Sequence, residues 1–399
     1  MWRSGDMTGF KKNPPPQRSG NHQMETTLEN ENAFIKTFIE REVSSRRQFL
    51  LASAAGLAGV AALGMGFPAM AAAPAQRLPM AWSYRDRSNP YWNELVSGGE
   101  AFVESLGMKK TDLAHLINNG SSEKSLADIK SFLAKTGGKC AIACDPNDAP
   151  NARPVVESVV KAGAFVSTIW NKTDDLHPWD FGDNWVSHMT WSDVEPAEKT
   201  ARILLNAMGG KGAIVGIGGI PANGPAIERR KGLMKALKDF PNVQLLDYQP
   251  ADWSTQKANE VMQGFLTRFG DKITGVFSAN DSMAYGILEA LRAEGKKLPV
   301  VAYDGNPQAV DLVMKGELLA TCFTNPPWAG GISAALAYHA AIGSFKPSKE
   351  PKAHREFYGP TILITQKDAQ AFKKKYQSGS IPKYDWSDFW GPTTGPIRA

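Results

Sequence analysis

Asn280 and Asp304 each stand just past a short apolar run, the first after residues 273–279 and the second after residues 299–303. Between them residues 282–294 form an amphipathic stretch closed by Gly295, with Asp281 placed to cap it. This order reads as strand, helix, strand. Side chains at the carboxyl ends of parallel strands face the crevice where open α/β sheets bind ligands. An amide that donates and accepts, beside a carboxylate that accepts, is chemistry suited to hydroxyl groups.

Other strand exits carry similar groups. Residues 80–84 lead to Asn89, Tyr91 and Trp92; residues 140–144 end on Asp145; residues 164–169 end on Trp170 and Asn171. The run 213–217 leads through a loop to Arg229 and Arg230, the run 243–246 leads to Trp253, and Thr324 and Asn325 complete the set. Carboxylates accept from paired hydroxyls, an arginine donates through a planar fork, and aromatic faces cover the C–H surfaces of a sugar ring. No exit pairs a nucleophile with a general base, and the six histidines show no metal spacing. The chemistry is therefore binding rather than catalysis, with no cofactor and no metal expected.

The elements that must hold these groups repeat along the chain. Helical stretches at 123–135, 153–161, 197–208 and 282–294 are each followed by glycine and then a short apolar strand. Glycine past a helix supplies the left-handed turn that sends the chain back, and alternation of helix and strand implies parallel sheets covered on both faces. The fold class is α/β, doubly wound. With 399 residues, 42% of them hydrophobic, two such sheets fit better than one wide sheet.

Lysine and arginine number 45 against 40 acidic residues, without a long basic run, so nucleic acid is not implied. Cys140 and Cys144 share one strand. Four strand steps separate their Cα atoms by ~13 Å, too far for a disulfide. They read, with Cys322, as buried inert thiols.

Residues 1–73 read as a removed export signal. Ser45-Arg46-Arg47-Gln48-Phe49-Leu50 precedes an Ala- and Gly-rich apolar run, and Ala69-Met70-Ala71 offers a cleavage sequence. The paired arginines match a twin-arginine signal. The run at residues 216–221 invites a dinucleotide reading, but Pro221 occupies the place where close helix packing needs a small residue. It reads instead as a loop lining the cleft.

Five motifs together resemble the periplasmic sugar-binding proteins of the ribose and galactose type, receptors of ABC importers. They are Asn89-Pro90-Tyr91-Trp92, Arg229-Arg230-Lys231-Gly232-Leu233, Gln249-Pro250-Ala251-Asp252-Trp253, Val276-Phe277-Ser278-Ala279-Asn280-Asp281 and Tyr303-Asp304-Gly305. The likeness runs from residue 79 to about residue 365. It implies two doubly wound parallel-sheet lobes joined by a three-crossover hinge, with crossings near Trp191, Asn325 and Phe357. The N-terminal lobe would be residues 74–190 and 325–356, the C-terminal lobe residues 191–324 and 357–383, and residues 384–399 an extension.

The resemblance also implies roles. Asn89, Arg229, Asn280 and Asp304 would hold hydroxyls, Tyr91 and Trp92 would flank the ring, and Trp253 would stack from the second lobe. Asp145 matches a position that often supplies a polar contact, and Thr324 and Asn325 straddle one that is frequently a Gln or Asn. Where ribose-type receptors show Asp-Arg, this chain has Trp170-Asn171, which favours a less polar or differently shaped ligand such as a polyol or deoxysugar. The expectation is a monomeric periplasmic receptor that hands a monosaccharide or polyol to an ABC permease. An exported nucleotide-cofactor oxidoreductase and a receptor feeding a sensor kinase are the alternatives. A repressor sharing this core would need a DNA-binding helix-turn-helix where the export signal lies.

Overall fold

The computed structural model describes residues 78–378 and 382–397. The export signal read at residues 45–71 lies outside the described residues. Among them, no helix is long and apolar enough to cross a membrane.

Strands β1 (Met80–Tyr84), β2 (Leu113–Ile117), β3 (Ala141–Cys144), β4 (Phe165–Ile169) and β5 (Trp185–Thr190) form a parallel sheet that β11 (Glu356–Tyr358) completes. Its order is β11-β5-β4-β3-β1-β2. Strands β6 (Gly212–Gly218), β7 (Val243–Pro250), β8 (Gly275–Ser278) and β9 (Val300–Val301) form a second parallel sheet, ordered β7-β6-β8-β9. A bridge from Asp304 to Phe323 extends it into β10 (Ala320–Phe323), which pairs antiparallel with β12 (Ile362–Thr365). That antiparallel edge departs from the all-parallel expectation. Strand order reverses between β1 and β3 and between β6 and β8, so each lobe has a switch point where ligands bind.

Helices cover both faces of each sheet. In the first lobe these are α1 (Pro90–Ser105), α2 (Ser122–Thr136) and α3 (Ala152–Lys161). In the second they are α4 (Val194–Ala207), α5 (Gly224–Leu237), α6 (Thr255–Phe269), α7 (Asp281–Ala293), α8 (Pro307–Met314) and α10 (Gln366–Tyr376). Their ends follow local chemistry: Ser121 Oγ accepts from Lys124 N–H at 3.1 Å to start α2, and Gly137 at φ 59° stops it. The helix α9 (Pro326–Ala341) is buried on almost every side because it packs on α1 and the first sheet. Glycine makes that contact possible: a Cβ at Gly98 would lie 1.7 Å from the Pro327 carbonyl oxygen, and one at Gly330 the same from that of Leu95.

Separate apolar clusters fill the second lobe and the two faces of the first sheet. Cys140, Cys144 and Cys322 are buried and unpaired. The chain passes between lobes after β5, again between β10 and α9, and a third time between β11 and β12. The third crossing corrects the boundary drawn before Phe357. Glu356, Phe357 and Tyr358 pair with His188, Met189 and Thr190, so the chain leaves the first lobe only at Gly359.

The stretch 382–397 returns to the first lobe. The Trp386 ring fills the space where a Gly331 Cβ would sit, 2.2 Å from it, and Trp390 stacks on His354 at 4.2 Å. Tyr358 N–H donates to Gly395 O at 2.9 Å and Thr394 N–H to Tyr358 O at 3.0 Å. The aromatic C-terminus is a lid on the first-lobe core and not part of the cleft.

Candidate functional site

A cavity lies between the lobes at the two switch points. Ten residues named from the sequence line it: Asn89, Tyr91, Trp92, Asp145, Trp170, Asn171, Arg229, Trp253, Asn280 and Asp304. Asn325 does not. Its backbone is left-handed at φ 52°, and its Oδ1 accepts from the Tyr384 hydroxyl at 2.6 Å, so it anchors the C-terminal stretch. The loop at 216–221 is also displaced from expectation. Gly219 sits behind Trp253, where a Cβ would fall 2.1 Å from the indole ring, and Gly218, Gly219 and Pro221 line a different hollow.

The second lobe contributes a preassembled ionic wall. Arg229 is 2% exposed, on the face of α5 turned toward the sheet, whereas Arg230 points outward over the Tyr248 ring. Arg229 Nε donates to Asp193 Oδ2 at 2.8 Å, and Nη1 donates to Ala279 O at 2.8 Å and Asp304 Oδ1 at 3.2 Å. Its guanidinium lies 3.8 Å over the Tyr303 ring, and the Tyr303 hydroxyl donates to Asp193 Oδ1 at 2.7 Å. Burial pushes Asp304 above the usual carboxylate range, while Arg229 and the Asn280 amide pull it back. Burial likewise raises Asp193, opposed by Arg229.

Asn280, and not the expected Asp281, caps α7: its Oδ1 accepts from Met283 N–H at 2.8 Å. Asp281 is buried at the first helical position, where it accepts from Asn306 N–H at 2.8 Å and Thr321 Oγ at 2.7 Å. It therefore fastens the Asp304 turn from behind.

The first lobe contributes rings and amides. Tyr91 and Trp92 meet edge to face at 5.0 Å, and Trp170 Nε1 donates to the Tyr91 hydroxyl at 2.7 Å. Trp170 packs against Trp191 with ring centroids 4.0 Å apart and planes tilted by 30°. Asp145 is 3% exposed; burial pushes its carboxyl up to about 6 although Asn171 Nδ2 donates to it at 2.7 Å. Asn89 Oδ1 accepts from Tyr91 N–H and from Ser282 Oγ of the second lobe, both at 3.0 Å.

Four further lining residues were not singled out from the sequence: Arg85, Asn147, Asn223 and Pro225. Arg85 and Asn147 sit just beyond β1 and β3, so strand exits alone pointed to their neighbourhood. Asn223 immediately precedes α5, and its use depends on the opposite lobe. Strained backbone marks the same place. Of seven non-glycine residues with positive φ among those described, Asn147, Trp170, Trp253 and Asp304 line this cavity. Such conformations cost of order 1–3 kcal/mol each and collect where a surrounding structure imposes them for function.

Two α/β lobes meeting at a cleft lined by carboxylates, amides, a guanidinium and aromatic faces define the class of bilobal solute receptors. The chain belongs to a family described as periplasmic binding protein domain, whose model matches residues 80–344. It is 29% identical over 282 residues to the D-allose-binding periplasmic protein of Escherichia coli, covering 70% of this chain and 89% of that one. It is 26% identical to the ribose import binding protein of Haemophilus influenzae, covering 66% and 85%. A crystal structure of a twin-arginine translocation pathway signal protein from Burkholderia phytofirmans superposes with TM-score 0.77 at 42% identity, covering 80% of this chain and 98% of that one. An Actinobacillus succinogenes solute-binding protein with bound D-allose shares the fold, with TM-score 0.64 at 23% identity over 73% of this chain and 99% of that one.

Proposed function

We propose that the chain is an exported receptor that traps one neutral monosaccharide or polyol between its lobes and delivers it to an ABC importer. The observation that carries this reading is the convergence of Asn89, Arg229, Asn280 and Asp304, from both lobes, on one cavity faced by Tyr91, Trp92, Trp170 and Trp253. Asp304 and Asp145 accept from ligand hydroxyls, Arg229 and Asn89 donate, and the rings cover the apolar faces. A ligand touching both walls favours the closed form by its differential affinity for it.

Relatives named for D-allose, ribose and xylitol support a pentose, hexose or polyol. Trp170-Asn171 narrows this further: a ring and an amide stand where a charged clamp would favour ribose. The arginine pair at residues 46–47 and the 42% identical twin-arginine pathway protein support export to the periplasm in a folded state.

A melting-temperature screen against D-allose, D-ribose, L-arabinose, xylitol and myo-inositol tests the reading, since a ligand that binds only the native state raises the transition. At least one member should raise it and give a saturable calorimetric isotherm. No shift and no heat across the panel would remove a small hydroxylated ligand from the account.

A further inference from the structure

Asn223 and Asn171 occupy cavity positions, yet their amides are turned toward protein. Asn223 Nδ2 donates across the cleft to Asn147 O at 2.8 Å, while its Oδ1 accepts from Trp253 Nε1 at 2.7 Å within its own lobe. Asn171 Oδ1 accepts from Gly224 N–H across the cleft at 3.3 Å, while its Nδ2 holds Asp145 at 2.7 Å. Both residues are buried. Each thus joins one bond between lobes to one bond on a neighbouring cavity group. On the far side, Arg85 Nη1 steadies the receiving loop by donating to Asn147 Oδ1 at 3.2 Å.

The ordering is sharp at Trp253. Its φ of 64° is disfavoured for a tryptophan, and its indole lies against Gly219 where no Cβ intervenes. The Asn223 carbonyl is the hydrogen-bond partner of the indole N–H, and that same amide donates to the opposite lobe at Asn147 O.

We infer that Asn223, with Asn171 beside it, is a positioning residue forming a clasp at the start of α5 that ties lobe closure to the seating of Trp253 and Asp145. The clasp rests on the capture reading above. Because its two interlobe bonds require the closed form, it acts on escape of the ligand rather than on entry.

Asn223→Asp separates the two halves of the amide. The carboxylate still accepts from Trp253 Nε1 but no longer donates to Asn147 O, and it places two oxygens face to face. Dissociation and association rates are read by stopped-flow tryptophan fluorescence, using whichever member of the five-compound panel gives the largest melting shift with the wild type. The expected result is a dissociation rate raised about tenfold, the worth of one good hydrogen bond, with the association rate within about twofold. Asn223→Ser, too short to cross the gap, should give the same split and serves if the aspartate variant does not fold. An unchanged dissociation rate, or a loss carried by association instead, overturns the clasp and leaves the capture reading standing. A wild type that binds no panel member removes that reading and the clasp with it.

Discussion

The wall supplied by the second lobe and the wall supplied by the first are built from different chemistry. On the second, Arg229 is held at three acceptors and against the Tyr303 ring, and Asp193 ties that assembly to the hinge. On the first, rings and neutral amides predominate, and Asp145 accepts from an amide instead of a guanidinium. A buried arginine–carboxylate network therefore stands preassembled on the second-lobe wall, whereas the first-lobe carboxylate is held by an amide. A preorganised donor costs little reorganisation on binding, whereas the ring-lined wall supplies area and shape. Ligand orientation should therefore be set by the second lobe, and ring size and substitution by the first.

Breaking the ionic wall has the largest expected effect. Arg229→Met leaves Asp193 and Asp304 buried without their cation, and removal of one member of such a pair costs about 3–5 kcal/mol. Urea unfolding should register that loss, together with loss of binding. Next comes Asp145, whose folded carboxyl is raised by burial from 3.8 to about 6. The folded state then holds this proton more tightly than the unfolded chain. Its contribution to stability is complete below about pH 4 and is lost as pH rises through about 6, by about 3 kcal/mol. Asp145→Asn should remove that share of the slope in denaturation curves between pH 4 and 7, leaving the part due to other buried carboxyls such as Glu228 and Asp304, and gain relative stability at neutral pH while weakening ligand capture.

Two smaller effects sharpen the contrast. Asp304→Ala should weaken binding by about 1.5–3 kcal/mol, roughly tenfold to a hundredfold, if ligand hydroxyls use its carboxylate; unchanged calorimetric affinity would take Asp304 out of the site. Tyr91→Phe removes only the hydroxyl that accepts from Trp170. It should cost about 1 kcal/mol in affinity, with the ring contact kept.

Much of the arrangement was legible because strand exits and glycine stops are local signals. Asn280 and Asp304 follow apolar runs, and the structure brings both to one cavity. What escaped depends on pairings between distant segments. Asn223 reveals its role only opposite Asn147, and Asn325 turns from the cleft because Tyr384 awaits it near the C-terminus. The β9 run expected over residues 299–303 shrinks to Val300–Val301, because a strand's length is set by its neighbours as well as by its own residues. Asp281 looked like a cap by type and place, yet its neighbour Asn280 has the extended backbone that capping needs.

The most direct test of the account is a crystal structure of the protein with a panel compound that binds. Electron density for one ligand should fill the interlobe cavity, its hydroxyls within hydrogen-bond reach of Asn89, Arg229, Asn280 and Asp304, with the bond from Asn223 to Asn147 intact. Density elsewhere on the molecule, with that cavity holding only solvent, would contradict it.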